Sequence, residues 1–119
     1  MQRKKTIMII EDEPTIRELL TRILELEGYA TVSAGDGRAA IELLSEIEKP
    51  DLILVDNLMP VMSGTEFLKA LADDHVMVTI PVAMVSAYSE PESVGHARAF
   101  IKKPIDLDAL LKFVKEWCG

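Results

Sequence analysis

The chain has one cysteine, Cys118, so it can form no internal disulfide, and a reducing, cytosolic setting is expected. Its two histidines, His75 and His96, have no partners at metal-ligand spacing. No apolar run approaches the roughly 20 residues a membrane-spanning helix needs. The basic start Arg3, Lys4, Lys5 precedes an apolar stretch too short for a signal peptide, and Glu11, Asp12 and Glu13 follow at once. Positive charge is the minority sign, 13 Lys and Arg against 20 Asp and Glu, for a net charge of -7. That balance argues against a sequence-independent grip on nucleic acid or on an anionic membrane. There is no Ser/Gly-rich linker, low-complexity tract or internal repeat, and 119 residues with 49% apolar content suit one folded domain, 1–119.

What the chain does have is a set of short apolar runs that each end in a polar group. Thr6 to Ile10 stops at Glu11 and Asp12, Leu52 to Val55 at Asp56, Pro81 to Val85 at Ser86, and Phe100 to Ile101 at Lys102 and Lys103. Runs of this kind are central strands of a parallel sheet covered on both faces, whose ligands bind beyond the carboxyl ends. Between them lie helical patterns. Pro14 suits a first helical turn, and Ile16, Leu19, Leu20, Ile23 and Leu24 form an apolar stripe that Gly28 ends. Ala30 to Ser33 is a short second strand, and Asp36 caps a helix burying Ala40, Leu43, Leu44 and Ile47. Ser63 and Glu66 predict a capping box ahead of Phe67, Leu68 and Leu71. Only about 91–97 has room for the fourth helix, which should be short or irregular; the last opens at Asp106 and buries Leu107, Leu110, Leu111, Val114 and Trp117. Five βα units with short connections imply a doubly wound parallel sheet.

Three acids, a hydroxyl and an ammonium group at one sheet edge can hold a divalent cation and a phosphoryl group. Facing carboxylates relieve their repulsion by taking up a proton or a cation, and magnesium on Glu11, Asp12 and Asp56 is the economical choice. Asp56, at the mouth of the crevice, is the candidate nucleophile, and its attack on phosphorus gives an acyl phosphate. Lys103 supplies a point charge, and Ser86 a hydroxyl that can turn toward a phosphoryl oxygen. Lys102 is expected to face solvent, and Met59, Met62 and Met84 to fill the core.

In that order along the chain, Ile-Ile-Glu-Asp-Glu-Pro (9–14), Leu-Val-Asp-Asn-Leu-Met-Pro (54–60), Ser-Gly (63–64), Val-Ser-Ala (85–87) and Lys-Pro (103–104) resemble the receiver domain of the two-component response-regulator family. The resemblance spans essentially the whole chain. It implies a flavodoxin-like sheet in the order 2-1-3-4-5 and phosphorylation of Asp56 by a sensor histidine kinase or a histidine phosphotransfer protein. It also implies magnesium at Glu11, Asp12, Asp56 and the main-chain carbonyl of Leu58, phosphate contacts from the backbone of Asn57 and Ala87, and a cis peptide before Pro104. Ser86 and Phe100 match the family's switch positions, coupling the site to an output surface on the fourth helix, fifth strand and fifth helix. Such a domain is a cytoplasmic switch that assists its own phosphorylation, not an enzyme with turnover. It would act on a downstream effector or an attached output domain, as a monomer or a weak phosphorylation-dependent dimer.

Two features depart from the family pattern. Seventeen positions separate Ser86 from Lys103, and the shortfall falls on the fourth helix, which predicts a remodelled, partner-specific surface. Leu58 and Tyr88, two residues beyond Asp56 and Ser86, are bulky and predict slow self-dephosphorylation. Two other function classes share some of these residues: a phosphatase of the haloacid dehalogenase type, and an interaction module that keeps the fold without being phosphorylated. The first expects an Asp-x-Asp nucleophile after the first strand, whereas Asp12 is followed by Glu13 and Pro14.

Overall fold

The computed structural model describes residues 4–56, 61–86, 97 and 99–118. Five parallel strands, β1 (Thr6–Ile10), β2 (Ala30–Ala34), β3 (Leu52–Asp56), β4 (Val82–Ser86) and β5 (Ala99–Lys102), form one sheet in the order β2-β1-β3-β4-β5. Its helices among the described residues are α1 (Pro14–Leu26), α2 (Gly37–Leu44), α3 (Gly64–Ala72) and α4 (Leu107–Cys118), with a 3-10 turn at Met77–Thr79. This is the flavodoxin-like architecture expected. The stretch assigned to a short helix before β5 lies outside the described residues except for Ala97, which is in neither helix nor strand.

The strands hold the centre because their side chains are apolar on both faces. Alternation sends Ile7, Ile9, Leu52, Leu54 and Ala83 to one side, where Leu20 and Leu24 of α1 and Leu110 and Val114 of α4 cover them. Met8, Ile10, Ile53, Val55, Val82 and Met84 point the other way, against Ala40 and Leu44 of α2 and Phe67, Leu68 and Leu71 of α3. Each such large side chain, fully buried, contributes about 1.5–3 kcal/mol of transfer free energy.

Local signals fix the helix starts. Pro14 opens α1, with the Glu13 carboxylate accepting from the Thr15 amide at 3.1 Å, and Gly28 at φ 96° reverses the chain after it. Asp36 accepts from the Ala39 amide at 2.8 Å, and Ser63 and Glu66 form the full capping box. Asp106 caps α4 through the Asp108 and Ala109 amides.

Some sequence-based expectations shift. Val82, not Pro81, starts β4, because proline has no amide to give the ladder, although its carbonyl still accepts from Ile53 at 3.0 Å. Leu19 is 50% exposed and Leu107 39%, because both border an open groove between α1 and the turn into α4. Trp117 is 40% exposed: the stripe through Leu110 and Val114 continues at i+4 to Cys118, which is buried, and Trp117 lies beside Phe113 with ring centroids 6.0 Å apart. Met84 is fully buried and Met62 half-buried, as core-fillers should be; Met59 lies outside the described residues.

Candidate functional site

Neighbouring strands β1 and β3 deliver the acids. Ile10 pairs with Val55, so Glu11, one residue past β1, and Asp56, the last residue of β3, emerge side by side at the carboxyl edge. Both are almost completely buried, while Asp12 is exposed. Carboxylate oxygens of Glu11, Asp12 and Asp56 lie within 4.8 Å of one another.

Lys103 enters from the far side. It follows β5, is joined to Pro104 by a cis peptide, and places Nζ 3.2 Å from Asp56 Oδ2 and 3.7 Å from Glu11 Oε1. Lys102, its neighbour, is exposed, as expected of the strand's solvent-facing position. One ammonium against three carboxylates leaves the cluster short of positive charge. Burial pushes the Glu11 carboxyl up to about 7, against the Glu13 amide bonded to it, with the Asp56 charge raising it further and Lys103 opposing. An all-oxygen donor set with surplus negative charge and one open, solvated side fits a hard divalent cation that keeps some of its waters, so the cluster fits a receiver-type magnesium site.

The other sequence-chosen residues divide into three groups. Ser86 ends β4 with Lys102 opposite it in register, but its side chain is outside what the structure describes. Phe100 is half-buried against the α2 and α3 side of the core. Asn57, Leu58, Ala87 and Tyr88 lie outside the described residues. One contact escaped the sequence reading: Arg17 of α1 donates to the main-chain carbonyl of Glu11 at 2.7 Å. Sequence offers no signal for it, since its acceptor is backbone. Beside the cluster, Ile16, Leu19, Leu20, Lys103, Pro104, Ile105 and Leu107 line an apolar groove of about 550 Å³.

A doubly wound sheet with a buried acid pair, a third exposed acid and a converging lysine at its carboxyl edge is the arrangement of a receiver domain. Residues 7–115 match the family described as "Response regulator receiver domain". The chain is 35% identical to the polar-differentiation response regulator DivK of Brucella anthropi over 120 residues, covering 97% of each chain. Two solved structures share the fold at comparable sequence identity. The signal receiver domain of a signal transduction histidine kinase from Syntrophus aciditrophicus is 38% identical with TM-score 0.87, covering 96% of this chain and 89% of that one. Response regulator protein TrrA from Thermotoga maritima, in complex with magnesium and beryllofluoride, is 30% identical with TM-score 0.84, covering 95% and 98%. The chain belongs to the response regulator receiver domain family, whose members are regulatory switches of two-component signalling. Among the described residues no helix is long and apolar enough to cross a membrane.

Proposed function

We propose that Asp56 accepts a phosphoryl group from the phosphohistidine of a sensor histidine kinase or histidine phosphotransfer protein. One observation carries this reading: Asp56 is buried, 3.2 Å from the Lys103 ammonium, with the Glu11 and Asp12 carboxylates beside it. A carboxylate oxygen of Asp56 forms the new bond to phosphorus as the bond from phosphorus to the donor imidazole nitrogen breaks, leaving an acyl phosphate and a free imidazole. Glu11, Asp12, Asp56 and the Leu58 carbonyl would hold magnesium, which neutralises charge on the phosphoryl oxygens. Lys103 holds the nucleophile's oxygen and supplies a second positive charge where negative charge builds up. The backbone of Asn57 and Ala87 and the Ser86 hydroxyl supply the remaining donors. Ser86 and Phe100 then bias a two-state surface toward a downstream effector or an attached output domain.

Beryllofluoride bound with magnesium in the related TrrA structure makes that reagent the natural probe. Titration with beryllofluoride or acetyl phosphate in millimolar magnesium should give saturable, one-to-one modification that Asp56→Ala abolishes. No response in the wild-type chain would instead favour an interaction module that is never phosphorylated. Leu58 is bulky and apolar, so the phosphorylated form should decay slowly, and Leu58→Asn should speed its decay; an unchanged rate would reject that assignment.

A further inference from the structure

Glu11 is tethered from four directions. Its amide donates to the Ala34 carbonyl at 3.1 Å, Oε2 accepts from the Glu13 amide at 3.2 Å, and Oε1 faces Lys103 at 3.7 Å. The fourth tether is the shortest: Arg17 Nη1 donates to the Glu11 carbonyl oxygen at 2.7 Å. Arg17 sits in the first turns of α1, its amide bonded to the Glu13 carbonyl at 2.9 Å, and its guanidinium lies against Gly35 in the turn after β2. One side chain thus joins the end of β1, α1 and the β2–α2 turn.

The Glu11 carbonyl is the point at which the chain leaves the sheet. The β1 ladder runs only to Ile10, so among the described residues this oxygen has no ladder partner in that register. A peptide unit is planar from one Cα to the next. Fixing the Glu11 oxygen therefore fixes the direction in which the Cα of Asp12 departs. Asp12 is the exposed member of the acid cluster and the one least restrained by packing.

We propose that Arg17 is a positioning residue for the cation site: by clamping the Glu11 carbonyl, its guanidinium holds the Glu11–Asp12 peptide at the pitch that keeps the Asp12 carboxylate within reach of Glu11 and Asp56. The inference rests on the magnesium role proposed above. It also makes a prediction opposite in sign to simple electrostatics. Removing a cation from beside a cation site should tighten metal binding through relieved repulsion, whereas loss of a positioning clamp weakens it.

The test is calorimetric titration of magnesium into the full chain for wild type, Arg17→Ala and Arg17→Lys, at one pH and ionic strength. Loss of a hydrogen bond from a charged donor predicts about tenfold weaker binding in Arg17→Ala. Arg17→Lys, which keeps the charge and can keep one bond, should recover part of the loss. In acetyl phosphate reactions the half-saturating magnesium concentration should rise by the same factor, while the plateau rate stays within about twofold, because excess metal restores the site. Equal or tighter magnesium binding by Arg17→Ala, or a lowered plateau with unchanged half-saturation, overturns the proposal. Should Arg17→Ala fail to fold, Arg17→Met keeps the apolar stem and carries the same expectation, and a lysine variant binding no better than Arg17→Met is equally fatal. Failure of the wild type to bind millimolar magnesium would remove the metal reading itself; an unchanged variant beside a binding wild type removes only the role of Arg17.

Discussion

Lys103 Nζ lies 3.2 Å from Asp56 Oδ2, joining the last residue of the central strand to the residue that follows the edge strand. Asp56 is almost completely buried, whereas the lysine side chain is 28% exposed. The contact compensates a buried carboxylate more than it gains as an ion pair, since removing the lysine takes away a positive charge that offsets the burial of Asp56. Lys103→Ala should therefore destabilise the metal-free protein by about 1–3 kcal/mol, discounted for the lysine's exposure. Acetyl phosphate modification should slow by about 10²-fold at saturating magnesium, the usual cost of losing one preorganised charge donor. Urea melts in EDTA and modification rates measure both, and a stability equal to wild type would contradict the compensating role.

The acid cluster should make the stability of the metal-free protein depend on pH in an unusual direction. Burial raises the Glu11 carboxyl from 4.5 to about 7 in the folded state. Below pH 4.5 this group is protonated in both folded and unfolded chains. Between pH 4.5 and about 7 the unfolded chain has lost the proton that the folded chain keeps, so this group's contribution to stability falls as pH rises, by up to about 3 kcal/mol, and is constant above. Urea melts in EDTA across that window should show the fall. Asp56→Asn removes a charge that raises the group and should lessen the fall without abolishing it, since burial is the larger cause. A stability that climbs steadily from pH 5 to 7 in the absence of metal would count against this environment for Glu11.

Much of this arrangement was legible because it is local or follows from strand order. The runs ending at Ile10 and Val55, Pro14 at the first helical turn, the cap residues Asp36 and Ser63, and the stop at Gly28 are nearest-neighbour signals, and a parallel sheet then brings Glu11, Asp12, Asp56 and Lys103 together. What escaped depends on third dimensions of packing. Periodicity cannot tell whether Trp117 or Cys118 completes the buried stripe of α4, since both continue it within a residue; the angle at which α4 meets the sheet decides. The exposure of Leu19 and Leu107 depends on a groove formed by two distant segments. Arg17 was invisible because its partner is a carbonyl, which every residue has.

The capping box at the start of α3 is a direct target. Ser63 accepts from the Glu66 amide at 3.1 Å and its own amide donates to Glu66 Oε1 at 2.9 Å, so each satisfies a donor that the first helical turn leaves open. Ser63→Ala should cost ~1 kcal/mol in urea unfolding, and Ser63→Asp should restore most of it. The Glu66 carboxyl is held below its usual range, chiefly by the Ser63 amide. Its contribution is therefore present above pH 4.5 and fades as the pH falls further, so the stability difference between wild type and Glu66→Ala, which removes the acceptor of the Ser63 amide, should shrink in acid. A difference that grows below pH 4 would place the stabilising contact elsewhere.

Val61 is the described non-glycine residue with a left-handed backbone, at φ 68°, and it is 70% exposed. A β-branched side chain in that region crowds its own carbonyl, at roughly 1–2 kcal/mol, and so little burial offsets this that packing cannot be the reason for it. Its neighbours explain where the strain is held: Met62 is half-buried, its side chain pressed within 2.9 Å of where a Cβ on Gly37 would stand, and Ser63 is locked into the capping box. The chain between β3 and α3 is thus pinned on one side of Val61. Val61→Asn, whose short polar side chain tolerates the left-handed region, should raise stability by about 1 kcal/mol. Val61→Gly should gain less, because glycine adds freedom to the unfolded chain. Thermal melts of the three proteins give the order asparagine, glycine, valine; a valine chain as stable as the asparagine variant would mean that the backbone at this position is not strained.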